Sequence, residues 1–238
     1  MLDQFLDPSL YLGIKTSLKL IILVFLEAVL SADNALALAA LSQGLEDPKL
    51  QRQALNVGLI IAYGLRIGLI LTATWVTKFW QVELLGAAYL LLLAYQHFTL
   101  GKSDGDENQG SRFETLLQVI PLIALTDLAF SLDSVTTAIA LSRRTWLILT
   151  GATIGIIALR FMAGLFIRWL DEFVNLEDAG YLTVALVGWR LLMRVINHAW
   201  IPPEWLIISA IALIFTWGFS ERTLINSLAD TENSEVQE

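Results

Sequence analysis

The sequence predicts an all-α integral membrane protein of about seven transmembrane helices, built as two inverted three-helix repeats plus one extra C-terminal helix. Three observations predict it. Hydrophobic residues make up 56% of the 238 and charged residues only 16%, against roughly 25% charged in ordinary globular chains. The apolar residues fall into runs of span length. A motif carrying acidic residues inside such a run occurs twice, once in each half.

A bilayer core of about 30 Å takes about 20 mostly apolar residues per helix. That places spans at roughly 12–42, 54–77, 83–100, 115–142, 146–169, 180–197 and 204–221. The connections carry turn and charge signals: Glu46-Asp47-Pro48-Lys49, Lys78, Arg143-Arg144, Asp171-Glu172 and Pro202-Pro203. Trp75, Trp80, Trp146, Trp169, Trp200 and Trp205 stand near span ends, as an interfacial belt requires. Asp3 and Asp7 replace the positive start of a signal peptide, so the first apolar segment reads as a retained span. The expected organisation is a first repeat at 12–100, an acidic linker at 101–114, a second repeat at 115–197, a seventh helix at 204–221 and an acidic disordered tail at 222–238. Lys and Arg are nearly balanced between the two sides, with a lean towards an outside N-terminus and a cytoplasmic tail.

The net charge of −8 and the lack of a dense basic cluster exclude nucleic acid as a partner. With no cysteine, disulfides, thiolate metal sites and cysteine nucleophiles are excluded. There is no His-Glu-x-x-His motif, and Ser31 and Ser131 have no histidine in their spans, so no enzyme and no resident cofactor is expected.

The repeat aligns Glu27-Ala28-Val29-Leu30-Ser31-Ala32-Asp33-Asn34 with Asp127-Leu128-Ala129-Phe130-Ser131-Leu132-Asp133-Ser134. Gly64-Leu65-Arg66 then matches Ala158-Leu159-Arg160, and Gly86 and Tyr95 match Gly180 and Trp189. Each unit holds three spans, an odd number, so the second is inverted relative to the first, a feature of many transporters.

A carboxylate at the bilayer centre costs on the order of 2.5–3.5 kcal/mol, so Glu27, Asp33, Asp127 and Asp133 unpaired would cost roughly 10 kcal/mol together. Protons, arginines or a bound cation must neutralise them. On a regular helix Glu27, Ser31 and Asn34 share a stripe, repeated by Asp127, Ser131 and Ser134. Asp33 and Asp133 join it only where the helix unwinds, and Ser, Asp and Asn favour such a break at both motifs. The donors are carboxylate, amide and hydroxyl oxygens, which suit Mn²⁺, Mg²⁺ or Ca²⁺. The alternatives are packing by the small polar residues and a proton relay through the carboxylates.

Arg66 and Arg160 recur at matched positions, where pairing with Asp133 and Asp33 or their neighbours would hold an empty site together; a structural salt bridge or a snorkelling side chain is the competing role. Arg190 and Arg194 read as interfacial anchors, and His97 and His198 as isolated interfacial or satisfied histidines. The loop Asp104–Gln109 starts like a calcium loop but has Gln109 in place of glycine and Thr115 in place of the bidentate glutamate, so it reads as a solvated linker.

The paired segments Glu27–Asn34 and Asp127–Ser134 closely resemble the signature motifs of the TerC family, linked to tellurium resistance and manganese export. The resemblance runs from about residue 15 to 220 and is similar to cyanobacterial members at Thr126–Thr137 and Phe161–Asp171. It implies the seven-helix fold of LysE-like exporters and efflux of a divalent cation, most directly Mn²⁺; the duplicated carboxylates themselves suggest proton exchange as one coupling. It places metal contacts at Glu27, Asp33, Asn34, Asp127 and Asp133, and with them Ser31, Ser131 and Ser134. Chloroplast relatives are associated instead with inserting membrane proteins into thylakoids, so an insertion or assembly factor without transport is the alternative. Expected partners are the metal ion and the lipid bilayer, with a homo-oligomer left open, in a plasma (inner) or thylakoid membrane.

Overall fold

The computed structural model describes residues 8–45, 47–76, 79–100, 115–142, 144–197 and 202–222. They form α1 (Pro8–Ser42), α2 (Pro48–Val76), α3 (Trp80–Leu100), α4 (Leu116–Leu141), α5 (Thr145–Glu172), α6 (Leu176–Ile196) and α7 (Glu204–Gly218). Among the described residues the only β pairing is an isolated bridge between Phe173 and Arg222. The expected linker 101–114 and all of the expected tail except Arg222 lie outside the described residues, as does His198.

The helices outrun the apolar segments at several ends. α2 starts at Pro48 rather than near 54, because Asp47 caps it: its Oδ1 accepts the backbone N–H of Lys49 at 2.8 Å, and Pro48 takes the first helical position. α6 starts at Leu176 rather than near 180, with Glu177 and Asp178 in a first turn whose dipole favours acid. α7 ends at Gly218, short of the expected 221. The chain then turns back onto the α5–α6 junction: Val174 N–H donates to Glu221 O at 3.2 Å, and the Arg222 guanidinium sits 5.2 Å from the Phe173 ring centre. Arg222 is therefore docked, not the first residue of a free tail.

The polarity of the molecule is inside out. Leu117, Phe161, Ile60, Leu71 and Leu213 are between 62% and 81% exposed, whereas Arg66 is 1% exposed and Asp127 fully buried. Large apolar side chains exposed on this scale mark a lipid-facing surface rather than a water-facing one. Among the described residues α2, α4, α5 and α6 are long and apolar enough to cross a membrane, and Trp205–Gly218 is a shorter apolar helix. The chain is an all-helical, multi-pass integral membrane protein.

Packing is reciprocal between the halves: α1 lies mainly on α5, α2 on α4, and α3 on α6. Small residues let the helices close in. A Cβ on Gly58 of α2 would lie 2.7 Å from Ile123 of α4, and one on Gly86 of α3 would lie 2.8 Å from Leu132 of α4.

Candidate functional site

Both acidic motifs lie in the middle of unbroken helices, α1 and α4. The expected unwinding at Ser31–Asn34 and Ser131–Ser134 does not occur. The serines bond back along their own helices instead of displacing backbone partners: Ser31 Oγ donates to Glu27 O at 2.6 Å, and Ser131 Oγ to Asp127 O at 2.7 Å. Ser134 Oγ lies 3.4 Å from Ser131 O. With the helices intact, the acidic residues of each motif point to two different places.

Glu27 and Asp127 meet around Arg66 of α2. The guanidinium pairs with Glu27, donates from Nη2 to Asp127 Oδ1 at 3.2 Å and from Nε to Ser131 Oγ at 2.7 Å. One buried cation thus ties α1, α2 and α4 together against two carboxyl groups and, with both of them ionised, leaves the group one negative charge in excess. Glu27 reaches it across Gly155 of α5, where any Cβ would overlap the glutamate side chain. Gly155→Ala is therefore expected to displace Glu27 and cost about 1–3 kcal/mol by overpacking. Thermal unfolding in detergent checks it, and an unchanged midpoint would contradict the close approach.

Asp133 belongs to a second group. Its Oδ2 accepts from Arg190 Nη1 at 2.6 Å, and its Oδ1 is paired with Arg194, both from α6. Asp33 lies in the electrostatic field of Asp133 and Arg190, is 4% exposed, and its Oδ1 has no hydrogen-bond partner. Asn34 is buried beside it in sequence, at 7% exposure.

One expectation narrows here and two change. Arg66 pairs with the neighbouring motif acids Glu27 and Asp127 rather than with Asp133 or Asp33 themselves. Arg160 pairs with the Oδ1 of Asn56 on α2 and with no carboxylate among the described residues. Arg190 and Arg194 are not interfacial anchors but the counter-charges of Asp133. Sequence reasoning missed that role, although a signal exists: the two arginines stand four apart on one helical face, and the positions aligned with them in the first half are Gln96 and Leu100. The duplicated aspartates therefore do not have duplicated partners: Asp133 is paired with two arginines, whereas Asp33 keeps one oxygen, Oδ1, without a hydrogen-bond partner among the described residues.

A cavity of about 10 Å³, lined by Glu27, Arg66, Ser134, Ala138, Gly151 and Ala152 among others, adjoins the first group. It has room for about one water. Among the described residues no three His, Cys, Asp or Glu side chains are grouped as a metal site. His97 is not isolated: it bonds Asp178 at 2.6 Å and stacks on Tyr181 at 3.7 Å between ring centres, joining α3 to α6.

The chain matches the family described as "Integral membrane protein TerC family" over residues 12–228. It is 34% identical over 177 residues to the "Uncharacterized membrane protein YceF" of Bacillus subtilis, covering 71% of this chain and 68% of that protein. It is 31% identical over 217 residues to "Uncharacterized membrane protein YkoY" of the same organism, covering 82% of this chain and 65% of that one, so about a third of each Bacillus relative lies outside the match. The "UPF0053 inner membrane protein YgdQ" of Escherichia coli is 27% identical over 204 residues, covering 79% of this chain and 83% of that protein. No solved structure matches the chain.

Proposed function

The chain belongs to the TerC family of integral membrane proteins, and on that premise we propose that it is a secondary transporter exporting a divalent metal cation, Mn²⁺ before Ca²⁺ or Mg²⁺. The observation that carries the reading is the buried cation between the halves: Arg66 held by Glu27 and Asp127, one from each motif. Two carboxylates and a single guanidinium leave a deficit of one positive charge, which a dication in that seat would remove. Ser131 and Ser134 offer hydroxyl oxygens beside it, and oxygen donors suit these ions. Asp33, Asn34 and Asp133 are the further contacts on the ion's way, with Ser31 matching Ser131 by sequence. The reading involves no covalent step and no resident cofactor.

Its architecture is seven spans in two inverted three-helix repeats plus α7, the arrangement of LysE-like exporters. The packing supports it: exchanging the halves turns the α1–α5 contact into α4–α2 and maps α3–α6 onto itself. Alternating access then rocks one repeat against the other. The description of YgdQ as an inner membrane protein favours the plasma membrane over the thylakoid.

Proteoliposomes containing purified protein test the reading, with Mn²⁺, Ca²⁺ and Mg²⁺ compared. Flux of one ion, lost in both Asp33→Asn and Asp133→Asn, is the expected result. Folded protein that moves none of them, with or without a proton gradient, would sink it. One observation favours the non-transporting alternative: arginines already satisfy Glu27, Asp127 and Asp133 without any ion. An assembly or insertion factor would show partner proteins in gentle detergent extracts and only mild effects of neutralising one carboxylate.

A further inference from the structure

Arg66 and Arg160 hold aligned positions in α2 and α5, yet their circumstances are opposite. Arg66 is 1% exposed and held by two carboxylates and a serine. Arg160 is partly exposed and bonded to a neutral amide. Their surroundings differ in the same sense. Ala138 and Ala152 line the cavity beside Arg66. The aligned positions in the other half are Leu38 and Gly58: Leu38 is fully buried and Gly58 is pressed on Ile123, so that side is packed shut.

α2 and α5 run antiparallel along their contact, since Tyr63 Oη meets Thr153 Oγ1 at 2.8 Å and Asn56 meets Arg160. The same register continued sets Arg66 opposite Thr150, a hydroxyl in place of the Asn56 amide. Arg160 lies five residues beyond Gly155, which packs on Glu27, and Arg66 lies five beyond Ile61, the position aligned with Gly155. Arg160 therefore lies about 7.5 Å along α5 from the residue that packs on Glu27, whereas Ile61 is 44% exposed and faces away from the seat. Ser31, the counterpart of Ser131, has the same backbone bond but no arginine partner among the described residues.

We propose that Arg66 and Arg160 alternate in one seat between Glu27 and Asp127. Arg66 fills it in the conformation described. In the opposite-facing conformation Arg160 fills it beside Ser31, and Arg66 turns towards Thr150. This rests on the inverted-repeat transporter reading and gives it a control: the empty carrier never reorients with both carboxylates bare, because one guanidinium or the other accompanies them. It makes Arg160 a positioning residue although it touches no carboxylate here.

The chain contains no cysteine, so a single Ala138→Cys or Leu38→Cys reports alone. The experiment is the labelling rate of each by a membrane-impermeant maleimide, in otherwise wild-type protein, Arg66→Gln and Arg160→Gln. Arg160→Gln is expected to trap the present conformation and slow labelling at position 38 by about tenfold, and Arg66→Gln to raise it while protecting position 138. Shifts in the same direction in both variants, or no shift in Arg160→Gln, would overturn the exchange. Arg160→Gln removes only an amide contact, so it decides the matter even where Arg66→Gln does not fold. Opposite labelling shifts in a protein that carries no ion would keep the exchange and remove the transport reading; flux in wild type with no labelling shift would do the reverse.

Discussion

A chain in which Arg66 and Arg160 are both methionine is expected to lose about 3–5 kcal/mol of stability, the cost of breaking a buried ion pair by removing one partner. Glu27 and Asp127 are then left without the guanidinium that holds both, one of them fully buried. Arg66→Met alone is expected to cost less, because Arg160 takes the vacated seat, and Arg160→Met alone very little, because its partner is a neutral amide. A divalent cation is expected to restore the double variant. Binding to the folded state alone stabilises by mass action, about 2.7 kcal/mol at a hundredfold excess over Kd. Thermal unfolding in detergent, with Mn²⁺ or Mg²⁺ against sodium at matched ionic strength, measures both effects. A midpoint that the dication raises no more in the double variant than in wild type would mean that the carboxylate pair is not a cation seat.

The fold class was legible because a membrane leaves few choices: apolar runs of span length separated by charged turns can only be helices. Helix ends were less legible. Hydropathy marks where the apolar residues stop, whereas α2 continues into Lys49, Gln51 and Arg52 under the cap of Asp47. At the site, the aligned motifs located the residues but not their company. The expected break at Ser31–Asn34 gave too much weight to the competition of serine with the backbone; in these buried helix segments the hydroxyl has a ready acceptor four residues back and the helix survives. Arg190 and Arg194 escaped notice because their match to Asp133 depends on where the tertiary fold places α6 relative to α4, which no local pattern encodes. The break in the repeat at Gln96 and Leu100 was the available clue.

That same break in symmetry sets the two motif aspartates apart in a way stability can read. Asp133→Asn is expected to cost about 3–5 kcal/mol, because it removes the carboxylate that pairs with two largely buried guanidinium groups, each 11% exposed. Asp33→Asn removes a charge whose Oδ1 finds no donor in its buried setting. An unsatisfied buried oxygen costs about 1–3 kcal/mol, so the amide is expected to leave stability unchanged or to raise it by about 1 kcal/mol. Both variants are nonetheless expected to lose ion flux. A residue that the fold would be better without, yet whose loss stops the activity, is strained for a purpose rather than for packing. Unfolding midpoints of the two variants in the same detergent, set beside their flux, separate the roles. Equal destabilisation by the two substitutions would mean that Asp33 has a structural partner, and flux in Asp33→Asn at the wild-type rate would leave its unsatisfied carboxylate without a function in transport.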